Sequence, residues 1–279
     1  MIEWGISAAA HDASLTVVSN NEILFASHAE RYSGIKNDKD LNADLIHAAL
    51  KFGKPEKIHW YEKPKLRAMR RLLAGQGLIR FSVRQYLEHF GLKDIPVEFA
   101  YHHESHAAAG FYTSPYDDAT ALVIDAIGEF DTASIWKCSG SKLKKKWSMD
   151  YPKSLGLFYS AMTDRIGLKA NEDEYILMGM VAYGDPEKYY DEVRNLWKSE
   201  NLHRGCRWWR PDDGDLDIYS VAAATQKVYE EEFEKLLIRA KMKDASQDNL
   251  VLMGGCALNC SANHIARKYF ECMDYAKSW

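Results

Sequence analysis

The densest run of reactive side chains is Tyr101-His102-His103-Glu104-Ser105-His106-Ala107-Ala108-Ala109, which places three histidines within five residues, beside a glutamate and a serine. Residues four apart on a helix share a face, so His102 and His106 can offer two imidazoles to one metal ion. The small run Ala107–Ala109 suits close packing of such a helix. Surface or helix-capping histidines are the plain alternative, but so dense a grouping is uncommon and points to a metal. Two ligands hold a metal weakly, so carboxylates from elsewhere in the chain are expected to complete the site.

Three further stretches carry chemistry. In Asp125-Ala126-Ile127-Gly128-Glu129-Phe130-Asp131-Thr132 a strand ends in Asp, turns at Gly and re-enters a strand at Thr. Backbone N–H groups and the Thr132 hydroxyl can there meet a phosphate, with Gly128 and Glu129 in the turn, and Asp125 can ligate a metal or orient a water. An acidic hairpin turn is the simpler reading. In Met253-Gly254-Gly255-Cys256-Ala257-Leu258-Asn259 paired glycines follow a strand, which lets a nucleotide approach and leaves helix N–H groups facing it. Glycine pairs also merely turn chains. Finally, Ala10-His11-Asp12-Ala13-Ser14 interrupts two apolar runs, so His11 is either a satisfied core residue or a site residue at a strand turn.

The elements that must position these residues are readable from pattern. Apolar runs at 2–8, 14–19 and 22–28 flank His11-Asp12 and the turn Ser19-Asn20-Asn21, predicting a strand meander. A helix is expected at about 41–52, a strand at 57–62, and a basic helical stretch at 64–92 containing Lys65, Arg67, Arg70, Arg71, Arg80 and Arg84, broken at Gly75–Gly77. That stretch reads as solvated amphipathic helices, or less simply as a partner- or phosphate-binding face. The strand pattern restarts at 119, with strands at 120–124, 132–137 and 144–149. Lys142 and Lys144–Lys146 lie where lysines keep an edge strand soluble. Helices at 154–166, 173–182, 186–199 and 218–242 and a strand at 249–253 follow. The restart is what a duplicated α/β fold gives.

Composition narrows the field. The 279 residues are 47% hydrophobic and 27% charged, with a formal net charge of -4, which argues against bulk attraction to nucleic acid or anionic membrane. No stretch approaches the roughly 20 apolar residues of a membrane span, and the start lacks signal-peptide character, so a cytoplasmic location is expected. The five cysteines form no Cys-x2-Cys pair and are read as reduced thiols, mostly packing residues.

In their order, these stretches resemble the carbamoyltransferase family that includes nodulation and antibiotic O-carbamoyltransferases. The resemblance runs from Gly5 to Asn263. It takes in Ala29-Glu30-Arg31, Tyr112-Thr113-Ser114-Pro115, Ser154-Leu155-Gly156-Leu157-Phe158-Tyr159, Asn171-Glu172-Asp173-Glu174-Tyr175, Met178-Gly179 and Ala182-Tyr183-Gly184. The set is specific to the family, and no single member is. The resemblance implies an α/β, actin-like (ribonuclease H-like) duplicated two-lobed fold, shared with the universal tRNA threonylcarbamoyl transferases. The lobes are expected at 1–116, with a basic helical insertion near 64–92, and at 117–279, the second incomplete.

It further implies a divalent, ferrous-type metal on His102, His106 and Asp125, and nucleotide contacts from Gly128, Glu129, Thr132, Gly254, Gly255 and Asn259. In such enzymes a carboxy-terminal domain makes carbamoyl-adenylate from carbamoyl phosphate and ATP, and the actin-like domain transfers the carbamoyl group to a hydroxyl acceptor. His11 resembles the histidine that takes the hydroxyl proton, and the metal would polarise a phosphate or carbonyl oxygen. Two departures stand out. Ile176 occupies a position where a lysine is expected, and the chain stops at Trp279 without the family's later Gly-Asp-rich segment or adenylate-forming domain. The sequence therefore leads us to expect a truncated or split carbamoyltransferase, working with a separately encoded carboxy-terminal part. The alternatives are a nucleotide- or metal-binding remnant and a tRNA-modifying relative of the threonylcarbamoyl type.

Overall fold

The computed structural model describes residues 1–77, 81–212, 214, 216–244 and 248–275. The chain forms two compact units, one running Met1–Ser105 and the other beginning at His106. The division falls ahead of the 116/117 boundary expected from sequence.

In the first unit the chain runs β1 (Ile2–Ser7), β2 (Ser14–Ser19), β3 (Glu22–His28), α1 (Glu30–Ser33), α2 (Ala43–Leu50), β4 (Lys57–Trp60), α3 (Pro64–Leu73), α4 (Val83–Glu88) and β5 (Val97–Phe99). The sheet order is β3-β2-β1-β4-β5, antiparallel in the meander and parallel from β1 through β4 to β5. Alternate residues bury one face: Trp4 and Ile6, Leu15 and Val17, Ile58 and Trp60 pack with Leu45, Ile46, Val83 and Leu87. Asn20 and Asn21 both take positive φ (51° and 65°), the backbone that a two-residue hairpin between β2 and β3 requires. The basic stretch is not simply a solvated face. Arg67 pairs with buried Glu62 at 2.7 Å, and Arg70 is buried, donating to the Gln76 side-chain oxygen at 3.5 Å. Arg80 lies outside the described residues.

Helix α5 (His102–Thr113) runs through the division and stops ahead of Pro115, which cannot continue a helix. Then come β6 (Asp118–Ile124), β7 (Asp131–Ser139), β8 (Lys142–Asp150), α6 (Leu155–Arg165), α7 (Glu174–Met180), α8 (Tyr190–Ser199), α9 (Ile218–Lys243), β9 (Asn249–Met253), α10 (Cys260–Asn263) and β10 (Cys272–Tyr275). The sheet order β10-β9-β6-β7-β8 reproduces that of the first unit, so the restart in the sequence is a repeat in topology. Strand β6 is buried on both faces. Ala119, Ala121 and Val123 pack with Phe111 of α5 and Met253, while Leu122 and Ile124 pack with Phe158 of α6 and Val221 of α9. Lysine-rich β8 lies at the sheet edge, as expected.

Close approach depends on glycine. A Cβ on Gly110 of α5 would come within 2.5 Å of Met253 Cγ and Sδ and 2.6 Å of Val251 Cγ1, so α5 rests directly on β9. All five cysteines are free thiols; Cys138 and Cys206 are buried and Cys256 partly so, while Cys260 and Cys272 are exposed. Among the described residues, no helix is long and apolar enough to cross a membrane.

Candidate functional site

Helix α5 carries both candidate histidines, one turn apart. His106 Nε2 lies 3.5 Å from Asp125 Oδ2, and one donor atom each from His102, His106 and Asp125 all fall within 4.8 Å of one another. His102 is buried and its ring meets Tyr61 edge-on at 5.5 Å, while the Ser105 hydroxyl donates to the Tyr61 carbonyl at 3.0 Å. These contacts set the start of α5. Asp125 sits just past the end of β6, where its Oδ1 accepts the Ala126 N–H at 2.8 Å and its Oδ2 faces His106. Two imidazoles and a carboxylate suit a first-row divalent ion. Ligand atoms sharing such an ion stand roughly 3 Å apart for bonds near 2.1 Å, so a modest contraction would bring these donors onto one. The donor set therefore fits the expected metal.

The two glycine-bearing turns meet at the same place. Strands β6 and β9 are parallel with Val123 opposite Met253, so Asp125 and Gly254-Gly255 leave the sheet side by side. Carboxyl ends of parallel strands are where open α/β sheets bind ligands. Gly254 has φ 88°, and a Cβ there would stand 2.3 Å from the Ile124 carbonyl oxygen; a Cβ on Gly255 would stand 3.3 Å from Asp125 Oδ1. Other side chains of these turns are used by the fold. Gly128 N–H closes the hairpin onto the Asp131 carbonyl at 2.8 Å. Glu129 and Thr132 are buried, and the Thr132 hydroxyl lies against the carbonyls of Met149 and Lys153 at 3.0 and 2.5 Å. Asn259 is buried and caps α10 by accepting the Ala262 N–H at 3.1 Å. Burial and the Asp125 charge push the Cys256 thiol well above its ordinary value.

Two supports of these turns were not picked out as site residues in the sequence. Ser154 caps α6 by accepting the Leu157 N–H at 3.0 Å and donates to the Ala126 carbonyl at 2.6 Å. A Cβ on Gly156 would lie 2.7 Å from Ala126 Cα, so α6 starts hard against the Asp125–Ala126 backbone. The signal was a Ser cap followed two residues later by a glycine inside a helix, where glycine is otherwise unfavourable.

His11 belongs to the first unit, in the loop joining β1 to β2. Its side chain is 72% exposed, so it is not the satisfied core residue of the plain reading, and its Nδ1 donates to Asp12 Oδ2 at 2.9 Å. That bond, with the charges of His11 and His28, holds the Asp12 carboxyl below the usual range. Ala9 and Asp12 take left-handed backbone (φ 65° and 48°), which costs energy in a non-glycine residue and marks loops shaped for a task. The loop is pinned by Ala9 N–H to the Lys39 carbonyl at 2.7 Å, Ala13 N–H to the Asp38 carbonyl at 2.6 Å, and Arg67 to the Ala9 carbonyl at 3.4 Å. Asp12 holds the His11 ring through its bond to Nδ1. Its left-handed backbone is invisible in residue type alone.

Two sheets of identical order define the actin-like ATPase fold. The crystal structure of T. kodakarensis HypF shares it, with a TM-score of 0.53 at 12% identity over 99% of this chain and 45% of that one. Within that class, the carboxyl-terminal strand ends and the His-x3-His helix lie in the segment 68–271, which matches the family described as carbamoyltransferase N-terminus. The chain belongs to that family. It is 31% identical to the uncharacterized protein sll1178 of Synechocystis over 93% of this chain and 51% of that protein. It is 27% identical to the nodulation protein NolNO of Sinorhizobium fredii over 91% of this chain and 42% of that protein. The chain thus spans about half the length of these curated relatives.

Proposed function

We propose that this chain is the acceptor- and metal-holding portion of an O-carbamoyltransferase that moves a carbamoyl group from carbamoyl-adenylate to a hydroxyl. The observation that carries the reading is the convergence of His102, His106 and Asp125 beside the Gly254-Gly255 turn, in a chain of the carbamoyltransferase N-terminal family. His11 accepts the proton of the acceptor hydroxyl at Nε2, because Nδ1 is engaged by Asp12, which fixes the tautomer and steadies the imidazolium. As the hydroxyl oxygen bonds to the carbamoyl carbon, the bond from that carbon to the adenylate phosphate oxygen breaks and AMP leaves. A divalent ion, ferrous in our reading, held by His102, His106 and Asp125 would polarise the carbamoyl or phosphate oxygen as a Lewis acid. The backbone at Gly254-Gly255 admits the nucleotide where a side chain would block it.

In this reading the donor, carbamoyl-adenylate formed from carbamoyl phosphate and ATP, comes from a carboxy-terminal part. The test follows labelled carbamoyl onto sugar, antibiotic and nucleoside hydroxyls, using the chain alone and the chain with a lysate containing the product of the neighbouring gene. Transfer that needs both and disappears in His11→Ala supports the reading. Transfer undiminished in His11→Ala, or its absence under every condition, overturns it.

A further inference from the structure

Helix α9 presents a primary amide, Gln226, that is 2% exposed within the largely buried stretch Val221–Tyr229. A buried amide is costly unless its hydrogen-bonding groups are met, and here they are met by the Gly254–Asn259 turn. Gln226 Nε2 donates to Asn259 Oδ1 at 3.1 Å and Asn259 Nδ2 donates back to Gln226 Oε1 at 3.0 Å, a reciprocal amide pair. The Tyr159 hydroxyl of α6 donates to the same Gln226 oxygen at 2.8 Å, and Gln226 Nε2 also reaches Glu230 Oε1 at 2.8 Å. One turn along α9, the Tyr229 hydroxyl donates to the Cys256 carbonyl at 3.1 Å.

We infer that Gln226 is a positioning residue for the nucleotide turn, holding Gly254–Asn259 in the register that sets Gly255 beside Asp125. The inference rests on the nucleotide reading proposed above. An apolar side chain of the same length would fill the space equally well. The reciprocal pair adds direction, since two bonds fix the rotation of the Asn259 amide, and the Asn259 oxygen in turn caps α10. The turn is thereby fastened at Cys256 and at Asn259, on the side away from its glycine opening, by α9.

The test uses the full chain and ATP with magnesium, titrated by NMR, with urea unfolding measured in parallel. Gln226→Met is expected to stay folded and to weaken ATP binding about fivefold, the scale of one lost net hydrogen bond. Tyr159→Phe removes one of the four hydrogen bonds to Gln226 and leaves the reciprocal amide pair, so it is expected to weaken binding less, about twofold. Glu230→Gln keeps an acceptor for Gln226 and should bind as the parent does. Unchanged ATP affinity in folded Gln226→Met overturns the inference and leaves the nucleotide reading intact. Should that variant not fold, unchanged affinity in Tyr159→Phe overturns it. No binding of ATP by the parent chain at millimolar concentration removes the nucleotide reading and the inference with it.

Discussion

Asp125 divides its carboxylate between two tasks: Oδ1 accepts the Ala126 N–H at 2.8 Å and Oδ2 faces His106 Nε2 at 3.5 Å. The first bond orients the group and the second aims it at the histidine helix. Removing either histidine should therefore cost more metal than loosening the orientation. In His102→Ala and His106→Ala we expect affinity for ferrous or manganous ion to fall at least about tenfold, and Asp125→Asn to behave similarly because the amide is a poor ligand. Metal analysis and titration on the purified variants check this. Undiminished metal content in both histidine variants would sink the assignment.

Glycine contacts give the sharpest stability prediction. Gly254→Ala would drive a methyl to 2.3 Å from a backbone carbonyl at a φ of 88°, and backbone cannot step aside as a side chain can. Gly110→Ala meets Met253 and Val251 side chains, which can partly give way. Overpacking costs about 1–3 kcal/mol, and we expect Gly254→Ala at or beyond the upper end of that range and Gly110→Ala within it. Urea titration should rank them so; the reverse order would mean that β9 and α5 yield less than their side chains suggest.

Nucleotide affinity should be modest. Of the residues expected to meet phosphate, Thr132 and Asn259 are engaged by the fold, which leaves the backbone around Gly254-Gly255 as the main contact surface. Calorimetry with ATP on this chain should give a dissociation constant weaker than roughly 0.1 mM, about -5.5 kcal/mol. Micromolar binding would show that other residues build the site.

The pH dependence of stability has a defined sign at Asp150. It is the register partner of Asp131 across β7 and β8, and Lys145 pairs with Asp131 at 2.8 Å. Partial burial, then the hydrogen bond and charge of Asp131, raise the Asp150 carboxyl above its ordinary value against the smaller opposing pull of Ser148 and Lys145. A raised folded-state value stabilises the fold fully below the unfolded value of about 3.9, and that stabilisation is lost as pH rises through the folded value. Asp150→Asn should thus match the parent at the acid end and exceed it at neutral pH. A variant less stable than the parent at pH 7 would contradict the assignment.

Much of the fold was legible because it is written in period. Alternation in β1 and β2, the short β-rich run of β6, the Asn20-Asn21 turn and the restart near 119 all reflect half- or fully buried strands. Strand β5 is three residues long, Val-Glu-Phe, too short to show a period. Helix α8 begins at Tyr190, later than its polar pattern suggested, because the Asp185 side chain accepts the Glu187 N–H in a local turn around Pro186. At the site, the His-x3-His spacing was enough to group His102 with His106. Thr132 and Asn259 show the limit of reading residue types. A hydroxyl or amide suited to phosphate is equally suited to a hairpin carbonyl or a helix cap, and only the folded backbone distinguishes the uses.

The pairing of Val123 with Met253 has a consequence for how such a protein can drift. Successive strand residues point to opposite faces, so a deletion of one codon within β6 or β9 would invert every following side chain and carry Asp125 or the glycine pair to the wrong surface. The two strands are therefore length-locked to one another, although more than a hundred residues separate them in the gene. The Gly140 turn between β7 and β8 carries no such constraint, and insertions accumulated over descent should collect there. Sequences that keep the spacing from Thr120 to Asp125 and from Leu250 to Gly255, whatever residues fill it, keep the two turns together.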